Sequence, residues 1–243
     1  MIENKVNNIV SWMKKYLENS GSNGFVLGVS GGIDSAVLAL ILKKYFSNNY
    51  WTYWIDVESS KEDFKHASLI FEQPYFKYEI IDLKKSFNLI KDELKLSEQI
   101  KSNVKSRLRM ISLYAKAQEK NYLVLGTTNY IEFKIGYFTK YGDGASDLSP
   151  LRNLLKKEVK EIAIYLGVPK EIIDRAPTAG LYENQTDEDE IGLTYETMDD
   201  YFSGIDISKE DKSKIDLKVY NSKHKREATP YPIFDRKREE NEK

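Results

Sequence analysis

The residues with the clearest chemical potential are Gly28-Val29-Ser30-Gly31-Gly32-Ile33-Asp34-Ser35. The apolar Phe25-Val26-Leu27 precedes them and Ala36-Val37-Leu38-Ala39-Leu40-Ile41-Leu42 follows, which reads as buried strand, glycine turn and helix. Adjacent glycines let the backbone bend sharply and let an anion approach it. The free amides that open the helix point at the same place and make a ready phosphate site, and Ser30 and Ser35 add hydroxyl donors. Asp34 is the odd member, because a carboxylate beside phosphate is repulsive unless a cation lies between. Mg²⁺ bridging carboxylate and phosphate oxygens resolves this. The run lacks the lysine of a Walker A loop and the spacing of a G-x-G-x-x-G fingerprint.

Two later stretches carry further candidates. In Gly126-Thr127-Thr128-Asn129-Tyr130-Ile131-Glu132, Thr127 offers a hydroxyl to a nucleotide and Glu132 a second carboxylate for the metal. In Tyr137-Phe138-Thr139-Lys140-Tyr141-Gly142-Asp143-Gly144-Ala145-Ser146-Asp147, the glycines give a backbone able to wrap a ligand. Lys140 supplies a positive charge there, and Asp143 and Asp147 supply acceptors. Taken alone, each stretch is equally an ordinary glycine turn with solvated side chains; both gain meaning in company with the 28–35 run.

The elements that must position these residues follow from periodicity. Residues 3–19 repeat Val6, Ile9, Met13 and Leu17 at helical spacing. Strands are expected over 25–30, 51–57, 77–82 and 122–126, and helices over 34–46, 61–72, 84–96 and 98–119, with Ser60 as an N-cap. The order β-α-β-α-β-α-α-β predicts an α/β fold, a Rossmann-like parallel sheet flanked by helices on both faces. Ligands of such sheets bind beyond the carboxyl ends of the strands, so the 28–35 and 126–132 stretches should line one cleft. Further helices are expected over 156–166, 191–203 and 208–221, with an irregular binding loop over 176–189. Residues 1–234 read as one domain and the polar 235–243 as a tail.

Composition narrows the classes. The 243 residues include 37 Lys and Arg against 38 Asp and Glu, which argues against nucleic-acid binding by bulk electrostatics. No apolar run reaches the length that spans a bilayer, and no signal-type block opens the chain, so a cytoplasmic protein is expected. There is no cysteine, which excludes disulfides, thiolate metal sites and thiol nucleophiles within the chain.

The string S-G-G-I-D-S resembles the pyrophosphate loop of the N-type ATP pyrophosphatases, the adenine nucleotide alpha hydrolase-like fold. Together with Arg107-Leu108-Arg109-Met110, Gly126-Thr127, Phe138-Thr139-Lys140-Tyr141-Gly142-Asp143-Gly144, Ala176-Pro177-Thr178-Ala179, Asp187-Glu188-Asp189-Glu190 and His224-Lys225-Arg226, it stands in the order and spacing of the NAD synthetases, over about residues 3–232. The resemblance implies that Gly28, Val29, Ser30, Gly31, Gly32, Ile33, Asp34 and Ser35 hold the ATP phosphates, with Thr127, Lys156 and Thr178 also contacting ATP. It implies that Asp34 and Glu132 bind Mg²⁺, and that Arg109, Lys140, Asp147, His224 and Lys225 contact deamido-NAD. Arg107 lies about 200° from Arg109 on an ideal helix, so the two should not face one ligand. A homodimer with the dinucleotide near the subunit interface is implied as well.

The implied chemistry suits the residue types. Adenylation turns an oxygen of the nicotinate carboxylate into a good leaving group; Mg²⁺ and a lysine, Lys156, stabilise the growing phosphate charge, and ammonia displaces AMP. Either Asp143 or Asp147 is the candidate base for ammonium, and Asp143 is placed among the catalytic residues with Asp34 and Lys156. Glutamine-dependent relatives use a cysteine nucleophile in an added domain, so free ammonia is the expected nitrogen donor here. The competing readings are another N-type pyrophosphatase, either tRNA-modifying or amide-forming, and a non-catalytic nucleotide sensor on the same fold.

Overall fold

Four parallel strands form the centre of the computed structural model, which describes residues 2–176 and 186–234. They are β1 (Gly24–Gly28), β2 (Tyr50–Asp56), β3 (Tyr78–Asp82) and β4 (Tyr122–Val124), in the order β3-β2-β1-β4. Phe25 pairs with Tyr50 on one side and Leu123 on the other. The chain builds outward from β1 through β2 to β3, then crosses back to lay β4 on the opposite side of β1. That reversal puts the topological switch point between β1 and β4, where sheets of this kind bind ligands.

Successive strand residues feed two cores, as the pleat requires. Phe25 and Leu27 join Tyr50 and Trp54 under α1 (Ile2–Ser20), α2 (Ile33–Tyr45) and α7 (Lys156–Leu166). Val26 joins Tyr53 and Ile55 under α4 (Lys84–Glu93) and α5 (Glu98–Lys120). Helix α2 is buried continuously from Ser35 to Leu42, because it is packed between the sheet, α7 and α3 (Lys61–Phe71). A third core joins α6 (Tyr130–Ile135), α9 (Asp187–Ile191), α10 (Tyr195–Phe202) and α11 (Lys209–Asn221) through Ile131, Ile191, Met198 and Ile215. The remaining short helix is α8 (Lys170–Ile173).

The expected alternation of strands and helices is present, and Ser60 caps α3 by accepting from the Asp63 amide at 2.9 Å. Several boundaries differ, three of them for a visible reason. β1 ends at Gly28 because the Ser30 amide turns away to the Ser35 hydroxyl. The helix expected over 84–96 stops at Glu93, and Lys95 adopts positive φ. The helix expected over 191–203 is two: Gly192, at φ +73°, closes α9, and the Thr194 side chain caps α10 through the Thr197 amide. Thr178 and the tail 235–243 lie outside the described residues. Among the described residues, no helix is long and apolar enough to cross a membrane.

Phe25 is fully buried and meets Phe46 edge-on, with centroids 5.1 Å apart. Replacing it with alanine should lower unfolding stability by about 3–5 kcal/mol, read as a lower urea midpoint at unchanged m-value.

Candidate active site

The 28–35 loop is built largely from its own side chains. The Ser35 hydroxyl donates to the Gly32 carbonyl at 2.9 Å and accepts from the Ser30 amide at 3.1 Å, while the Ser30 hydroxyl accepts from the Gly32 amide at 3.3 Å. The two hydroxyls also pair with each other at 3.1 Å. They therefore brace the turn instead of standing free as ligand donors. The first intrahelical bond of α2 runs from the Ala36 amide to the Gly32 carbonyl. The amides of Ile33, Asp34 and Ser35 precede it, and such N–H groups have no partner within their helix. Gly31, at φ +85°, lies against α3: a Cβ there would stand 2.4 Å from the Asp63 carbonyl oxygen.

Behind the loop, three side chains meet. Lys156 Nζ donates to Asp34 Oδ2 at 2.6 Å and to Glu132 Oε1 at 3.4 Å. Their side chains are 12%, 15% and 15% exposed. Each comes from the first turn of a different helix: Asp34 from α2, Glu132 from α6, Lys156 from α7. Asn129 links two of them. Its carboxamide donates to Asp34 Oδ1 at 3.2 Å and accepts from the Glu132 amide, while Glu132 Oε2 accepts from the Asn129 amide. The capping box of α6 thus also aims the Glu132 carboxylate.

The surroundings set the charge states. Burial pushes the Glu132 carboxyl above its ordinary range, with Lys156 pulling it down and Asp34 pushing it up. Burial disfavours the charged Lys156, but Asp34 and Glu132 more than offset this and hold the ammonium protonated above its usual value. The Tyr195 ring covers Lys156 at 4.9 Å, and its hydroxyl reaches Glu132 Oε1 and Asp187 Oδ2, both at 3.3 Å. Tyr137 extends the chain to Asp187 at 3.0 Å and Glu190 at 2.7 Å. Asp199 of α10 accepts from the amides of Lys156 and Lys157, at 3.0 and 2.9 Å, and so caps α7 across the helix interface.

A cleft of about 560 Å³ opens onto this cluster. It is lined by Gly28, Val29, Ser30, Gly32, Ile33, Asp34 and Ser35 of the loop, together with Arg109, Thr127, Glu132, Asp143, Lys156 and Lys225. Arg109 lies at the end of β2, its Nη2 on the Ser59 hydroxyl at 2.9 Å and its Nε on the Ile55 carbonyl at 3.4 Å. Arg107 diverges, as its helical angle requires, to the Lys140 carbonyl. Asp143 Oδ1 accepts from the Ser106 hydroxyl at 2.6 Å and the Thr139 amide at 3.0 Å at the cleft wall. Asp147 is engaged elsewhere, accepting from the Val124 amide at 2.7 Å, and lines neither this cleft nor its neighbour. Lys140 lines the adjoining cavity. His224 is exposed, and its carbonyl accepts from Lys140 Nζ at 2.7 Å.

Sequence reasoning missed Tyr137, Asn129, Asp187, Tyr195 and Asp199, whose roles depend on contacts between distant segments. It also missed the Arg175–Asp63 ion pair at 2.8 Å, both members of which line the cleft. Asn129 carried a readable signal as an N-cap three residues before Glu132; Tyr137 and Asp187 stand in stretches already singled out above, but their contacts were not legible there.

Among the described residues, no group of three or more His, Cys, Asp or Glu is arranged to hold a metal ion. Asp34 and Glu132 are a pair of hard oxygen donors, which fits a cation such as Mg²⁺ that takes its remaining ligands from phosphate and water.

Comparison with known proteins points to one family. The family model for NAD synthase matches residues 5–231. The NH(3)-dependent NAD(+) synthetase of Mesoplasma florum is 45% identical over 229 residues, covering 92% of this chain and 94% of that one. Among solved structures, an NMN synthetase from Francisella tularensis superposes with a TM-score of 0.92 at 37% identity, covering 96% of this chain and 99% of that one. An NH3-dependent NAD synthetase from Campylobacter jejuni, in complex with nitrate, superposes with a TM-score of 0.81 at 25% identity, over 96% and 99% of the two chains.

Gly31 offers a direct check on the loop. Alanine there must adopt left-handed backbone, costing roughly 1–2 kcal/mol, and must displace the Asp63 carbonyl. Gly31→Ala should weaken nucleotide binding by more than it lowers the melting temperature, measured by calorimetric titration with ATP beside a thermal melt.

Proposed function

The chain belongs to the NAD synthase family, and on that premise we propose that it amidates the nicotinate carboxylate of deamido-NAD with free ammonia, using ATP and releasing AMP and pyrophosphate. The observation that carries this reading is the buried Lys156–Asp34–Glu132 cluster behind the 28–35 loop, on a chain matched to such synthetases over nearly its whole length.

The work divides among the residues by position. The amides at the start of α2 take the ATP phosphates, and Thr127 adds a hydroxyl from the end of β4. Asp34 and Glu132 would hold Mg²⁺, which would supply neutralisation of phosphate charge. Lys156, kept charged by those same carboxylates, faces the phosphates and stabilises negative charge as the α–β bond breaks. A carboxylate oxygen of the nicotinate attacks the α-phosphorus and pyrophosphate leaves, giving an acyl adenylate. Ammonia then attacks the carbonyl carbon, the bond to AMP breaks, and one proton is released. Asp143 takes that proton: of the two candidate aspartates it is the one lining the cleft. Arg109, Lys140 and Lys225 contact the dinucleotide. Asp147 and His224 support that side through the Val124 amide and the Lys140 ammonium. Exposed Leu94, just after α4, and Ile100 and Ile111 of α5 support a homodimer, and the cytoplasm is the compartment where its substrates meet.

One observation favours a second reading of the substrate. The Francisella tularensis neighbour, at TM-score 0.92, is a synthetase of the mononucleotide NMN. The same chemistry on nicotinate mononucleotide would need no adenylate half on the substrate.

Incubation with ATP, Mg²⁺, ammonium and either deamido-NAD or nicotinate mononucleotide, following AMP and the amidated product, tests both. AMP release coupled to NAD is the expected result; preference for the mononucleotide would transfer the assignment to the second reading, and no AMP with either would overturn both. Glutamine serving as well as ammonium would overturn the nitrogen source. Asp34→Asn keeps an acceptor for Lys156 but removes the charge. It should lower kcat by about 100-fold or more without loss of the native circular dichroism spectrum.

A further inference from the structure

Beside the nucleotide cleft lies a second cavity of about 430 Å³, and Phe138, Ala145 and Lys225 line both. Four cations line it, Lys140, Arg152, Lys225 and Arg226, against one carboxylate, Glu227. Three of the four are committed to the fold. Lys140 Nζ donates to the His224 carbonyl at 2.7 Å, and Lys225 Nζ to the Gly136 and Phe138 carbonyls, both at 2.7 Å. Arg226 donates to the carbonyls of Lys134 and Val219 at 2.7 and 2.6 Å. Arg152 differs: its Nε is buried without a hydrogen-bond partner, and among the described residues it forms no ion pair. Burial depresses its pKa below the ordinary arginine value, with no neighbouring acid to offset it.

The guanidinium is nevertheless held in place. Its carbon stands 4.6 Å from the Phe133 ring centroid, and Phe133 in turn lies parallel to Phe138 at 6.3 Å. The backbone beneath it is a tight turn: the Arg152 amide donates to the Ser149 carbonyl, and the Leu154 carbonyl accepts from the Tyr130 amide at the head of α6. Fully buried Leu151 anchors the turn in the main core. Leaving a buried donor unpaired is unfavourable, and a planar guanidinium fixed on an aromatic face is well suited to a phosphate group.

The reaction fixes which part of the substrate reaches this cavity. The nicotinate carboxylate must meet the ATP α-phosphate, so it belongs in the first cleft. The ribose phosphate attached to the other side of the ring must extend away from it, and the wall shared through Phe138 and Lys225 leads into the second cavity. We propose that Arg152 is a specificity-determining residue that binds the phosphate on the nicotinate ribose. This rests on the function proposed above. Deamido-NAD presents that phosphate as part of a pyrophosphate and nicotinate mononucleotide presents it as a monoester; Arg152 serves either.

The test compares wild type, Arg152→Met, which keeps packing on Phe133, and Arg152→Lys, which keeps the charge. Dissociation constants for deamido-NAD, nicotinate mononucleotide and the phosphate-free nicotinate riboside are read by calorimetry without turnover, and KM for ATP by AMP release. The methionine variant should lose about tenfold or more in affinity for at least one nucleotide, with lysine recovering part of it. Riboside affinity and KM for ATP should stay unchanged. Nucleotide affinity within twofold of wild type, or an equal loss with the riboside, would overturn the proposal. Because binding is read without chemistry, Arg152-dependent affinity in a protein that releases no AMP would leave the phosphate site standing while the proposed reaction falls.

Discussion

Two carboxylates and one ammonium share a nearly dry volume behind the 28–35 loop, and much of the fold is arranged to make that tolerable. Removing charges from water costs several kcal/mol per ion, so such clusters persist only with close geometry and further hydrogen bonds. Asp34 and Glu132 stand in the first turns of α2 and α6, where the positive end of each helix dipole favours an anion. Lys156 is the first residue of α7, where the dipole disfavours a cation. The Asp199 carboxylate offsets that by accepting from the first two amides of the helix. Burial pushes Glu132 toward its neutral form; with both carboxylates ionised the cluster would carry one surplus negative charge, which a divalent cation would offset.

The three helices reach this point from different cores. α2 and α7 pack together in the largest one, beside the sheet. α6 belongs to the smaller core with α10 and α11, and α10 also contributes Tyr195 and Asp199. A displacement between these two cores would therefore move Glu132 relative to Asp34 directly. Asn129 bridges the seam, with its carboxamide on Asp34 and its backbone amide on Glu132. Asn129 thereby ties the two proposed metal ligands to one another.

What the sequence made legible was local. Strand, glycine turn and helix around Asp34 follow from apolar runs and paired glycines, and the parallel sheet follows from alternation with helices. The Ser60 cap is written in four consecutive residues. The functions of Ser30 and Ser35 were not legible, because a hydroxyl in a turn serves a ligand or the turn itself with the same residue type. The split between α9 and α10 was signalled by Gly192 and Thr194, but the helical period runs through both. Tyr195 and Asp199 were invisible for a different reason. Their partners lie on separate segments, and nothing in composition or spacing marks a tyrosine that will cover a lysine 39 positions away in the numbering of Lys156 and Tyr195. Thr178 lies outside the described residues.

Arg152 shows the same limit from the other side. In the sequence it is one basic residue after Pro150 and Leu151, less conspicuous than Lys140 or His224-Lys225-Arg226. The fold reverses the ranking. Lys140, Lys225 and Arg226 are tied to backbone carbonyls, so their charges shape the cavity wall and steer an anion without being free to wrap it. A cation that already neutralises carbonyl dipoles gains less from a phosphate than one whose donors are unsatisfied. Basic residues that hold the 138–144 and 222–226 segments together build the chamber, and the one left unpaired reads what enters it. The charges lining this cavity thus divide into cations tied to backbone carbonyls and one guanidinium whose Nε has no partner, much as the serines of the 28–35 run bond within the loop and leave the first amides of α2 without a helical partner.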